Sequence, residues 1–180
     1  MSEELEVLKE VAQKLNKSLI PYMISGSVAM SFYACPRMTR DIDIVVALYG
    51  AQVRLFSDLF RDEYYIDEDM VKTEVARKGM FNLIHNRFII KIDFILQKKN
   101  EFSESEFSRR RMVDLDGVKV WIVSPEDLVL SKLNWAKESI SEMQLQDIRN
   151  IIKMSENLEL EYINKWINQL NLQEIYARVV

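Results

Sequence analysis

The sequence predicts an α/β fold: an N-terminal α/β lobe joined to an all-helical C-terminal lobe, within 180 residues. Three observations predict it. Up to residue 123, β-branched apolar runs alternate with segments whose apolar residues recur at helical spacing. Asp116-Gly117 between two short apolar runs is a hairpin signal. From Ser124 onward only helical periodicity remains, so the lobes divide as residues 1–123 and 124–180.

The elements follow in order. Leu5, Leu8, Val11 and Leu15 share one face of an amphipathic helix over 3–16. A strand over 20–25, a short helix over 27–33 and a β-branched strand over 41–47 come next. Helices near 51–62 and 68–77 lead to strands over 80–85 and 87–96, parted by a turn at Asn86. A polar helix around 103–110 precedes the hairpin. Ser124-Pro125-Glu126-Asp127 then reads as a helix start, with Ser as cap, Pro in the first position and Asp three residues on. Helices over 125–137, 140–156, 159–169 and 172–178 complete the chain, and their short connections favour antiparallel packing.

Composition sets the class. Apolar residues at 48% and charged ones at 29% are ordinary for a globular chain. No apolar run reaches the ~18 residues of a membrane span, and the acidic start MSEELEVLKE is unlike a targeting peptide. Cys35 is the single cysteine and His85 the single histidine, which excludes a disulfide framework and a zinc cluster. A cytoplasmic protein is expected. The net charge of −4 does not advertise nucleic-acid binding, and the run Arg109-Arg110-Arg111 reads as a solvated face. His85 reads as a surface or turn residue, and Trp121, Trp135 and Trp166 as core or lobe contacts.

The chemistry concentrates in the first half. Asp41 and Asp43, two apart on a strand, point one way while Ile42, Ile44 and Val46 point into the core. Adjacent carboxylates repel unless a cation lies between them, and oxygen-only ligands suit magnesium or manganese. Gly26-Ser27, between a strand and a helix, offers backbone N–H groups to a phosphate, with a hydroxyl beside them. Asp93 sits within the apolar strand Ile-Ile-Lys-Ile-Asp-Phe-Ile-Leu and needs a cation or an ion pair, for which Lys91 is on the same face. On the helices, Lys132 falls within the apolar arc of Leu128, Val129, Leu133, Trp135 and Ala136. Asp147 falls within that of Ile140, Met143, Ile148 and Ile151. The two read either as a structural ion pair or as a lysine aimed at a triphosphate and oriented by its aspartate.

With Gly26-Ser27, Arg37-Met38-Thr39-Arg40, Asp41-Ile42-Asp43 and Lys91-Ile92-Asp93-Phe94-Ile95, the chain resembles the DNA-polymerase-β-like nucleotidyltransferase superfamily. The spacing and the helical part, Ser124 to Leu128 with Lys132 and Asp147, look most like the AbiE-type toxin group of type IV toxin–antitoxin systems. The resemblance implies a mixed sheet flanked by helices, a C-terminal helical bundle and two magnesium (or manganese) ions. It implies transfer of a nucleoside monophosphate from a nucleoside triphosphate to a hydroxyl, with pyrophosphate leaving. Asp41, Asp43 and Asp93 would be catalytic and hold the metals. Gly26, Ser27, Arg37, Thr39, Lys132 and Asp147 would serve the nucleotide. The acceptor would be RNA, such as a tRNA end, or a protein, and a cognate antitoxin would be the partner. Met30-Ser31 stands where tRNA-adding enzymes carry Arg-Asp, which argues against CCA addition. The alternatives are an antibiotic-modifying enzyme and a catalytically silent binding module of the same fold.

Overall fold

The computed structural model describes residues 2–34, 41–138 and 141–180. The described residues form a seven-stranded mixed sheet with helices around it. In chain order the elements are α1 (Glu3–Lys17), β1 (Tyr22–Ile24), α2 (Gly26–Met30), β2 (Asp41–Val46), α3 (Val53–Phe60), β3 (Tyr64–Tyr65) and α4 (Glu68–Arg77). Then come β4 (Met80–His85), β5 (Lys91–Leu96), α5 (Glu101–Ser108), β6 (Arg111–Leu115) and β7 (Val118–Ile122). Four helices end the chain: α6 (Pro125–Glu138), α7 (Glu142–Met154), α8 (Leu160–Gln169) and α9 (Gln173–Tyr176). None is long and apolar enough to cross a membrane.

The strands lie in the order β3-β4-β5-β2-β1-β7-β6. The β2–β5 and β1–β7 pairs are parallel and the others antiparallel. One sheet face carries the main aromatic core, where Phe94 of β5 meets Phe56 and Phe60 of α3 and stacks on Phe81 of β4. Period-two alternation fixes this register: Ile42, Ile44, Ile92 and Phe94 go into the core, and a slip of one residue would turn the aspartates into that apolar face instead.

Several local expectations are refined. The strand expected from residue 87 begins at Lys91, because residues 86–90 form a turn built on His85. His85 Nδ1 accepts hydrogen bonds from the Arg87 and Phe88 N–H groups, and its own N–H donates to the Ile90 carbonyl. The turn reading of His85 thus holds, while the surface reading does not, because the residue is buried. The capping reading of α6 holds: Ser124 Oγ accepts from the Asp127 N–H at 3.1 Å and donates to Asp127 Oδ2 at 2.6 Å.

Arg109-Arg110-Arg111 is a solvated face only in part: Arg111 is exposed, whereas Arg109 and Arg110 are half-buried. Arg109 reaches Asp127 and Glu159 and lies over the Tyr162 ring, while Arg110 lies over Phe107 and Trp121. Arg111 bonds Glu126. The buried Asp127 and Glu126 at the start of α6 recruit these guanidiniums, because a desolvated carboxylate needs a close counter-charge. Trp135 and Met143, expected on apolar arcs, are more than half exposed and face a cleft instead.

Candidate functional site

Asp41 and Asp43 stand on β2, and Asp93 on its parallel neighbour β5. In that ladder Asp43 is the partner of Asp93, and Asp41 of Lys91. Residues two apart share a face. Asp41, Asp43 and Val45 from one strand, with Asp93 and Ile95 from the other, therefore floor a single cleft of about 940 Å³. Its walls come from α5, α6, α7 and α8.

Lys91 Nζ lies 2.9 Å from Asp93 Oδ2 and 3.6 Å from Asp41 Oδ1, and the Asp93 hydrogen bond holds this ammonium above the ordinary lysine range. Asp43 is held above the ordinary carboxylate range, by burial first and then by the charges of Asp93 and Asp41. The positive charges of Lys132 and Lys91 oppose that rise without cancelling it.

This donor set fits a divalent cation. Three carboxylates stand on one face, and oxygen donors in this number match magnesium or manganese. As the side chains stand, no three His, Cys, Asp or Glu groups among the described residues converge closely enough to hold a metal. Lys91 is the cation bridging Asp41 and Asp93 in this arrangement.

Gly26 opens α2 with φ of +62°, and a Cβ built there would lie 1.9 Å from Asp43 Oδ2. Glycine is required twice over, by the left-handed backbone and by the carboxylate pressed against it. The Ser25 N–H donates to the Asp43 carbonyl at 2.9 Å and ties this turn to β2. Gly26 and Ser27 both line the cleft, beside the aspartates.

Lys132 and Asp147 do meet, at 2.9 Å, with both side chains buried. Lys132 lines the cleft, and its charge acts on Asp43. Asp147 does not line the cleft; it stands behind Lys132 and positions it. The structure thus brings Gly26, Ser27, Asp41, Asp43, Asp93 and Lys132 to one cleft. Arg37 and Thr39 lie outside the described residues.

Sequence reasoning missed Glu106 of α5, a buried carboxylate in the cleft wall that accepts a hydrogen bond from Ser131 Oγ at 2.6 Å. Burial raises its carboxyl to about 7. A signal existed, since Glu106 follows Phe102 by four residues and so shares its helix face.

Set beside solved structures, this sheet with its helices is a nucleotidyltransferase fold. An antigenic nucleotidyltransferase-like protein from Paracoccidioides brasiliensis matches with a TM-score of 0.56 at 19% identity, covering 99% of this chain and 93% of that one. ANT(2")-Ia, solved in complex with adenylyl-2"-tobramycin, matches with a TM-score of 0.65 at 12% identity, covering 96% and 99%. The lincosamide antibiotic adenylyltransferase LnuA, lincomycin-bound, matches with a TM-score of 0.57 at 12% identity, covering 86% and 99%. A search of curated proteins finds no match. Residues 1–177 match the family described as "Nucleotidyltransferase of unknown function (DUF6036)". The chain belongs to that family, and the protein is a nucleotidyltransferase.

Proposed function

We propose that the protein transfers a nucleoside monophosphate from a nucleoside triphosphate to a hydroxyl of a small-molecule acceptor, using Asp41, Asp43 and Asp93. The observation that carries this reading is the pairing of Asp43 with Asp93 across parallel strands on the floor of one cleft, with Gly26 pressed against Asp43.

The acceptor oxygen forms a bond to the α-phosphorus as the bond to the bridging oxygen breaks, and pyrophosphate departs with that electron pair. Asp93 takes the hydroxyl proton. Lys132, fixed by Asp147, pairs with the outer phosphates, and the Gly26-Ser27 turn admits them close to the backbone. Magnesium held by Asp41, Asp43 and Asp93 supplies, when bound, Lewis-acid stabilisation of the attacking and leaving oxygens.

A small acceptor is favoured over RNA because Arg109 and Arg110 are engaged within the fold. The toxin-type reading, with an RNA or protein acceptor and a cognate antitoxin, rests on the resemblance of the sequence motifs. ANT(2")-Ia and LnuA, of the same fold, are bound in their structures to small antibiotics or their adenylylated product, which supports the small-acceptor reading. The division into lobes at residues 123 and 124, part of the same reading, puts the catalytic strands in one lobe and Lys132 in the other.

Pyrophosphate release tests this reading. Wild-type protein with magnesium, each of the four triphosphates and a small-molecule library should release pyrophosphate in proportion to modified acceptor. Release with RNA alone as acceptor would overturn the small-molecule part, and none with any acceptor would overturn the whole.

A further inference from the structure

The helical end of the cleft has a chemistry of its own. Glu106 is 7% exposed yet lines the cleft, and Ser131 is its one hydrogen-bond partner among the described residues. No ion pair among the described residues includes it. A desolvated carboxylate without a counter-ion is costly, and its raised titration to about 7 reflects that burial. A cation arriving in the cleft would relieve the cost.

The rest of the lining agrees. Apart from the three aspartates assigned to the metal, the described lining carries Glu101 and Glu106 beside Lys98 and Lys132, and Lys132 is paired with Asp147. The same end presents aromatic rings from Phe102, Trp135 and Trp166. Among the described residues, the Trp166 Nε1 donor and the Gln144 Oε1 acceptor are buried with no hydrogen-bond partner. Ser131, which holds Glu106, precedes Lys132, whose charge reaches Asp43. Glu106 of α5 is thus tied to α6 at Ser131, one residue before Lys132.

We infer that this end of the cleft is the subsite for a small hydroxylated acceptor bearing a protonated amine, with Glu106 as its anionic anchor. The inference rests on the transferase reading and names its acceptor class. A polyanion such as RNA would bring phosphates against Glu101 and Glu106, which disfavours it.

The test uses amino sugars paired with their all-hydroxyl analogues, glucosamine against glucose being the simplest pair. Nucleotide transfer is followed in wild type and Glu106→Gln, and triphosphate binding is followed separately by magnesium-dependent thermal shift. Wild type should prefer the amine of each pair, and Glu106→Gln should raise the KM for the amine about tenfold or more, the scale of one lost charge-assisted bond. The KM for triphosphate should not move. Equal use of both members of each pair, or transfer to RNA only, overturns the inference. So does an equal KM rise for amine and analogue. In those cases an intact triphosphate shift leaves the transferase reading standing, whereas loss of that shift in wild type overturns both.

Discussion

Asp43 stands where a side chain on Gly26 would have to be, with its Oδ2 only 1.9 Å from the position of the missing Cβ. The glycine turn and the Asp43 carboxylate are therefore one structural unit, since neither can change without displacing the other. Gly26→Ala should cut transfer by about a hundredfold or more, the scale of a misplaced reacting group. The left-handed backbone adds about 1–2 kcal/mol of lost stability. Steady-state rates beside urea melts check both; a fully active Gly26→Ala would show that Asp43 can stand elsewhere.

Lys132 and Asp147 form a buried ion pair, and either substitution breaks it. Asp147→Leu and Lys132→Met alone should each lose about 3–5 kcal/mol in urea denaturation. The double variant should regain most of that stability, because two apolar side chains need no pairing. It should not regain transfer, and its KM for triphosphate should stay raised. Recovery of activity with stability would make the pair purely structural.

The sign of the pH dependence at Glu106 follows from its raised carboxyl. Its pKa is 4.5 as a free group and about 7 in the fold. The folded state therefore holds the proton more tightly, so this contribution is complete below pH 4.5 and lost as pH rises through about 7. The loss is about 3 kcal/mol. Melting curves between pH 5 and 8 should show wild type weakening relative to Glu106→Gln, which lacks this titration. Parallel curves for the two proteins would show that Glu106 is not desolvated.

Lys91 bridges Asp93 and Asp41, so removing it leaves the carboxylates more dependent on an added cation. Lys91→Met should melt lower than wild type without metal and gain more from magnesium. The difference in thermal shift should be roughly 2–4 °C for each kcal/mol of added binding. Equal shifts would mean that the metal does not answer the charge Lys91 carries.

Much of this could be read from residue order, because alternation on strands has only two phases. Asp41 and Asp43 against Ile42 and Ile44 fixed which face of β2 is buried, and β4 begins and ends at the expected residues. The start of β5 could not be read. Phe88, Ile89 and Ile90 look like a strand by composition, but Ile89 adopts a positive φ of 54° in a turn organised by His85.

The cleft wall was harder for a different reason. An apolar arc shows that a helix face is covered, not whether protein or ligand covers it, so Trp135 read as core although it is 56% exposed. Glu106 carries no motif, and only packing shows that it is buried without a cation. The arginines were misread because Asp127 and Glu159, their partners, lie 18 and 50 residues from Arg109.

Transfer of label from an α-phosphate-labelled triphosphate to an acceptor, compared between wild type and the Asp41→Asn plus Asp43→Asn variant, addresses the carboxylate site most directly. The substitutions keep side-chain size, and circular dichroism confirms the fold of the variant. Wild type should label acceptor in a magnesium-dependent way, and the variant should fall by at least about a thousandfold, as expected when charge stabilisation of a phosphoryl transfer is removed. Equal labelling by the two proteins would contradict the assignment of catalysis to Asp41 and Asp43.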